Sequence, residues 1–104
     1  MRNNVGRSFA AFAAWLVENP LDGDRVYGAS SVRYQVARYC DYLDANPWTK
    51  GDPLREPTAR DGAMQAYRSY LETFDTPPAA IRLSLLGVEH FYLFLGLGEA
   101  AAGF

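Results

Sequence analysis

Residues 81–98 read IRLSLLGVEHFYLFLGLG, the most apolar stretch of the chain. At about 100° per residue, one stripe of a helix carries Ile81, Leu85, Val88, Tyr92 and Leu95, which predicts that this stripe faces a core. A membrane span needs roughly 20 consecutive apolar residues. Polar and charged residues interrupt this stretch, so it is not expected to cross a membrane.

The same helix is apolar on a second side, where Leu83, Leu86, His90 and Phe94 lie away from the main stripe. A helix that is apolar nearly all round is either central to its bundle or has a second partner. The pattern favours the central position and leaves the partner surface as the alternative.

Composition predicts one globular domain over residues 1–104, because 49% of the residues are hydrophobic. The formal net charge is -2, so any contact with DNA must be local rather than driven by the overall field. A single cysteine, Cys40, excludes an internal disulfide and fits a reducing, cytoplasmic location. The N-terminal MRNNVGRSF has no apolar signal-peptide core.

Helix patterns continue along the chain, without convincing strand alternation. Four helices are predicted from their start signals, which are Ser8, Ser30 or Ser31, Thr58 with Asp61 as a capping box, and Thr76 followed by Pro77. Prolines and a glycine make residues 47–57 a loop, with Trp48 and Leu54 expected to attach it to the core. The fold class predicted is all-α, a compact four-helix bundle with room for an extra short helix or turn.

The second helix, SSVRYQVARYCDYL, and the fourth, AAIRLSLLGVEHFYLFLGLG, resemble the SAM-like core-binding domain of phage integrases and other tyrosine site-specific recombinases. Between them, DGAMQAYRSYLETFDTPPA resembles the third helix of that family and the turn after it, so the resemblance covers about residues 8–98. The matching positions in the second and fourth helices are Ser31, Val32, Tyr39, Tyr42, Leu43, Ile81, Leu85, Val88, Phe91, Tyr92, Phe94 and Leu95.

This resemblance implies a module that clamps double-stranded DNA while a separate C-terminal catalytic domain of the same parent chain cleaves and rejoins strands. It also allows self-association on DNA. Residues 99–104 are then the start of a linker to that domain. The family chemistry needs an arginine, a His-x-x-Arg pair and a nucleophilic tyrosine, whereas His90 is followed three residues later by Leu93. We therefore expect no catalytic residue, and no enzyme activity, in this chain alone.

At four polar positions of the family's fourth helix this chain has Ala80, Leu83, Leu86 and Glu89 instead, which reduces the expected DNA surface. Phosphate contacts come mainly from basic side chains, hydroxyls and helix N-termini. The predicted DNA-binding residues are Ser31, Arg33, Tyr34, Arg38, Arg82 and Ser84, with Arg68 as a further candidate. Each has an ordinary structural interpretation as well: Ser31 as a cap, the arginines as solvated or ion-paired charges.

Other chemistries have less support. His90 and Cys40 are single residues where a metal site needs three or four clustered ligands, so no metal and no cofactor are predicted. A Cys40–His90 nucleophile and base pair stays open, although no third orienting group accompanies it. Two functions therefore remain: a DNA-binding recombinase domain, and a helical protein-interaction module that kept the fold and lost the DNA face.

Overall fold

The computed structural model describes residues 3–19, 29–46, 48 and 51–97. These residues form four α-helices and no strand: α1 (Asn3–Glu18), α2 (Ala29–Ala45), α3 (Pro57–Glu72) and α4 (Pro78–Phe94). The prediction of an all-α four-helix bundle is confirmed. The proposed linker at 99–104 lies outside the described residues.

The first two helices begin earlier than their serine caps predict. α1 starts at Asn3, five residues before Ser8, and α2 starts at Ala29. The physical reason in α1 is Val5, which is fully buried and extends the apolar stripe of Phe12 and Leu16 back by about two turns. Packing of that turn outweighs the intrinsic preference of serine for the cap position.

The last two helices begin with a proline rather than with a hydroxyl cap. Glu56 precedes Pro57 at the start of α3, and Pro77 precedes Pro78 at the start of α4. Neither flanking residue makes a side-chain capping bond. Proline suits the first helical position because its missing N–H would have no intrahelical partner there. The predicted caps at Thr58 and Thr76 are therefore wrong by one or two residues.

All four helices contribute to one apolar core. The predicted stripe of α4 is buried at Ile81, Leu85, Val88 and Tyr92, and half-buried at Leu95. The other helices supply Val5, Phe12, Leu16, Val32, Val36, Tyr39, Cys40, Leu43, Met64, Tyr67 and Leu71. The core therefore extends through the whole bundle.

α4 is the central helix of the described bundle, as predicted. It packs against both α2 and α3. Its third neighbour is α1, since the ring of Phe94 lies 5.6 Å from that of Phe12 and 5.5 Å from that of Trp15. Phe94 was expected on an outward side, but α1 covers that side.

Two side-chain pairs show that α2 and α4 run in the same direction. Ser84 contacts Gln35 near the start of both helices, and Tyr92 contacts Tyr39 further along both. The two hydroxyls of the tyrosine pair are 2.6 Å apart and fully buried. The N-terminal halves of α2 and α4 therefore lie at the same end of the bundle.

The segment around the α3 start and the α4 end is fixed by specific bonds. Trp48 Nε1 donates a 2.9 Å hydrogen bond to the Leu43 carbonyl, and Leu54 is buried, which confirms that both attach their loop to the core.

The end of α4 is closed by a glycine, Gly96, which has a positive φ of 78°. The amides of Gly96 and Leu97 donate back to carbonyls of the last turn of α4, closing it in a Schellman motif.

Candidate DNA interface

The N-terminal half of α2 presents two positive charges, and the first carboxylate of the helix, Asp41, follows three residues after Arg38. Residues 29–40 contain Arg33 and Arg38 but no aspartate or glutamate. Both arginine side chains are exposed, and Tyr34 is 60% exposed. Ser31 is half-buried near the helix start, where the free amides of a first turn add partial positive charge. This part of the surface therefore suits an anionic ligand.

Arg38 and Tyr34 form a pair on the outer side of α2. The guanidinium carbon of Arg38 lies 5.8 Å from the centre of the Tyr34 ring, which is within cation–π range. The contact holds the long arginine side chain along the helix. Arg33 lies five residues before Arg38, which places the two about 140° apart around the helix. They therefore flank α2 on two sides and do not form a single cluster.

Ser84 does not belong to this surface. Its side chain is only 3% exposed, and its hydroxyl donates a 2.9 Å hydrogen bond to Oε1 of Gln35. A phosphate cannot reach it without separating α2 from α4. The prediction that Ser84 binds DNA is corrected on this ground: the hydroxyl joins two helices inside the bundle.

Arg82 is exposed but faces a different part of the molecule. With Arg68 it lines an open groove of about 670 Å³ between α3 and α4. Three acidic residues, Glu72, Asp75 and Glu89, line the same groove. Neither arginine forms a salt bridge with another residue in the described ranges. The three carboxylates outnumber the two arginines, so this groove disfavours a phosphate backbone.

Aromatic rings of α2 and α3 pack together in a surface that the sequence pattern did not predict. Tyr67 of α3 is buried, with its ring 5.1 Å from both Tyr39 and Tyr42 of α2. Tyr70 of α3 and Phe74 in the turn after that helix are exposed. Tyr42 and Tyr70 contact each other across the two helices at 4.9 Å. Aromatic spacing alone could not separate the buried ring from the exposed ones.

The Tyr67 hydroxyl is buried and has no hydrogen-bond partner within the described part of the chain. Burial raises the pKa of Tyr67, and the nearby positive charge of Arg38 partly offsets that rise. Tyr70, Tyr34 and Asp41 also act on this hydroxyl, and all three side chains are exposed. The Tyr67 ring contacts that of Tyr42, one turn after Arg38 on α2, so Tyr67 lies on the same side of α2 as Arg38.

A buried arginine, Arg60, was also missed. Its Nε donates to Oδ1 of Asp61 at 3.0 Å, and its Nη1 donates to the carbonyl of Leu97. A guanidinium at this position complements the negative end of the α4 dipole. Arg60 thus fixes the direction in which the chain leaves α4. No sequence pattern distinguishes it from a surface arginine.

The Cys40 thiol is not an activated nucleophile. Burial, followed by the charge of Asp41, raises the pKa of Cys40 to about 12. A reactive thiolate needs the opposite shift of its pKa.

The described residues contain no group of three or more histidine, cysteine, aspartate or glutamate side chains that could hold a metal ion. The described helices also include none long and apolar enough to span a bilayer.

The exposed apolar residues on the outer face of α4 differ from those predicted for the partner surface. Leu86 is exposed, whereas Leu83 and His90 are half-buried and Phe94 packs against α1. Leu93 is exposed and was not predicted. Leu86 and Leu93 are seven residues apart, so they lie on the same side of the helix.

Comparison of the chain with protein-family models, curated proteins and solved structures finds no match. The resemblance to the integrase family therefore rests on the amino-acid sequence alone.

Proposed function

We propose that this chain is the DNA-binding core domain of a tyrosine-type site-specific recombinase or integrase. It clamps duplex DNA through phosphate contacts and limited base contacts, while a C-terminal catalytic domain of the parent chain cleaves and rejoins the strands. The observation that carries the proposal is the N-terminal half of α2, with exposed Arg33, Tyr34 and Arg38 and no carboxylate among residues 29–40. The resemblance of α2 and α4 to that family supports it.

In this proposal Arg33 and Arg38 each neutralise a phosphate from one flank of α2. Tyr34 positions Arg38 through its ring, and Ser31 adds a hydroxyl near the helix start. Phosphate contacts orient a protein on the duplex without reading sequence. Because the two arginines point about 140° apart, they suit phosphates on opposite sides of a groove that receives α2.

The small number of positive contacts predicts modest, salt-sensitive binding. Two to three neutralised phosphates give a slope of about -2 to -3 in a plot of log affinity against log salt concentration. Affinity should then fall about 10- to 40-fold between roughly 50 and 200 mM salt. A fluorescently labelled duplex and anisotropy measure this directly.

The decisive variant is Arg33→Gln with Arg38→Gln. It should reduce the salt slope by about 2, because two phosphate contacts are lost. The matched control is Arg55→Gln, since Arg55 is 84% exposed and is paired with Asp52 in the loop before α3. Duplex binding with an unchanged slope in the double variant, or equal losses in the control, would contradict the role assigned to α2.

The second candidate is a helical protein-interaction module, and the outer face of α4 favours it. Leu86 and Leu93 are 41% and 52% exposed, and their side chains share one side of the helix. Apolar side chains grouped in this way mark protein contacts. In this case a second copy, or a domain of the parent chain, covers them.

Sedimentation velocity tests that alternative for self-association. The variant Leu86→Glu with Leu93→Glu should convert a wild-type dimer to a monomer while the helical circular dichroism signal stays constant. Val17→Glu is the control, because Val17 is highly exposed on α1. A wild-type protein that is monomeric at high concentration, yet binds duplex DNA, would decide for the recombinase domain.

A further inference from the structure

The Tyr67 hydroxyl has no packing explanation. The ring is 1% exposed and fills the space between Tyr39 and Tyr42, a role that phenylalanine could perform equally well. A buried hydroxyl without a hydrogen-bond partner destabilises a fold. By contrast, the hydroxyls of Tyr39 and Tyr92 satisfy each other. Tyr67 therefore carries a polar atom that the described interior does not use.

The surroundings of this hydroxyl suit an anion. The Tyr67 ring lies 5.1 Å from that of Tyr42, which follows Arg38 by one turn of α2, so Tyr67 and Arg38 lie on the same side of that helix. In agreement with this placement, the positive charge of Arg38 lowers the pKa of Tyr67 and partly offsets the effect of burial. The negative charge of Asp41 also affects the pKa of Tyr67, but less than the charge of Arg38 does. Arg38 and Tyr34 are exposed, and exposed side chains change rotamer within nanoseconds. Because the hydroxyl is buried, a ligand reaches it only when neighbouring side chains move aside.

We infer that Tyr67 and Arg38 together bind one phosphate group of the DNA backbone. The hydroxyl donates a hydrogen bond to a non-bridging oxygen, and the guanidinium binds a second oxygen of the same group. This inference rests on the proposed DNA-binding function and extends its surface from α2 to α3. A phosphate satisfies the buried donor in the complex, which accounts for a tyrosine at this position.

The test is Tyr67→Phe, with Tyr70→Phe as the matched control on the exposed neighbouring ring. Tyr67→Phe should be at least as stable to urea as the wild type, because it removes an unsatisfied group. It should also bind a labelled duplex about tenfold more weakly, since a hydrogen bond to a charged oxygen is lost. The salt slope should stay unchanged, because the hydroxyl carries no charge. Tyr70→Phe should match the wild type in both measurements.

A double-mutant cycle with Arg38→Gln shows whether both side chains bind the same phosphate. Shared binding predicts that Tyr67→Phe costs much less affinity in the Arg38→Gln background than in the wild type. Equal losses in both backgrounds would overturn the shared site.

The remaining outcomes are equally decisive. A Tyr67→Phe variant that loses stability would show that the hydroxyl has an internal partner, and would overturn the inference. Wild-type duplex binding with no effect of Tyr67→Phe would also overturn it while leaving the proposed function intact. A wild-type protein that does not bind duplex at low salt would remove the proposed function and this inference together.

Discussion

Replacing Tyr92 with phenylalanine removes one oxygen from the hydroxyl pair that joins α2 to α4. The two oxygens are 2.6 Å apart, and both side chains are fully buried. The ring stays in place, so the core keeps its volume. What changes is that the Tyr39 hydroxyl loses its partner in a place that water does not reach.

The magnitude follows from the cost of an unsatisfied buried group. One orphaned hydroxyl costs about 1–3 kcal/mol, whereas removal of both partners can be nearly neutral. Tyr92→Phe and Tyr39→Phe should therefore each destabilise the fold by about 2 kcal/mol, and the double variant by less than about 1 kcal/mol. The resulting coupling between the two sites is about 3 kcal/mol, at the upper end of the usual range for residues in contact.

Urea unfolding followed by circular dichroism at 222 nm measures the free energy of unfolding of all four proteins. The urea dependence of that free energy should be the same in each, because the buried area does not change. A double variant whose loss equals the sum of the two single losses would refute the reasoning. It would mean that each hydroxyl is stabilised by something other than its neighbour.

Two further predictions concern the thiol and the turn before α4. Cys40 should resist a thiol reagent in the folded protein and react only on unfolding, because burial raises its pKa to about 12. Rapid labelling of the native protein at about pH 8 would contradict this. Because the pKa of the folded thiol exceeds its ordinary value of 9.0, the stabilising contribution of the neutral thiol is intact below about pH 9 and is lost as pH rises towards 12, which urea unfolding at stepped pH can follow. Asp75 adopts a positive φ of 55°, so Asp75→Gly should raise the free energy of unfolding by about 1 kcal/mol in the same urea assay, and a decrease would show that the carboxylate itself stabilises the turn.

The four-helix architecture could be predicted because apolar residues at helical spacing mark the buried faces and prolines mark the breaks between helices. The α4 stripe that begins at Ile81 is buried as expected, and Pro47 and Pro77 separate the helices close to the observed ends. Helix starts were less accurate because a serine or threonine is only one way to begin a helix. In α1 the burial of Val5 decided the start, and in α3 and α4 a proline did.

The candidate site was predicted only in part, because side-chain direction depends on neighbours that the sequence does not reveal. Ser84 was assigned to the surface as a polar residue, yet Gln35 satisfies its hydroxyl inside the bundle. Tyr67 and Tyr70 are aromatic residues only three positions apart in α3, yet Tyr67 is buried against α2 and Tyr70 is exposed. Arg82 shares a helix with Ser84 but lies about 200° away around it, on the side of the acidic groove.

The bundle uses buried tyrosine hydroxyls in two ways, and one substitution distinguishes them. Tyr92→Phe should destabilise the protein because it breaks a satisfied pair, whereas Tyr67→Phe should leave stability equal or higher because its hydroxyl is unsatisfied. Both changes remove a single oxygen from a buried ring, so packing cannot explain opposite signs. If both variants lose stability equally, Tyr67 has a partner inside the protein and is not available to DNA. Opposite signs, together with weaker duplex binding by Tyr67→Phe alone, would connect the unsatisfied hydroxyl to a ligand outside the fold.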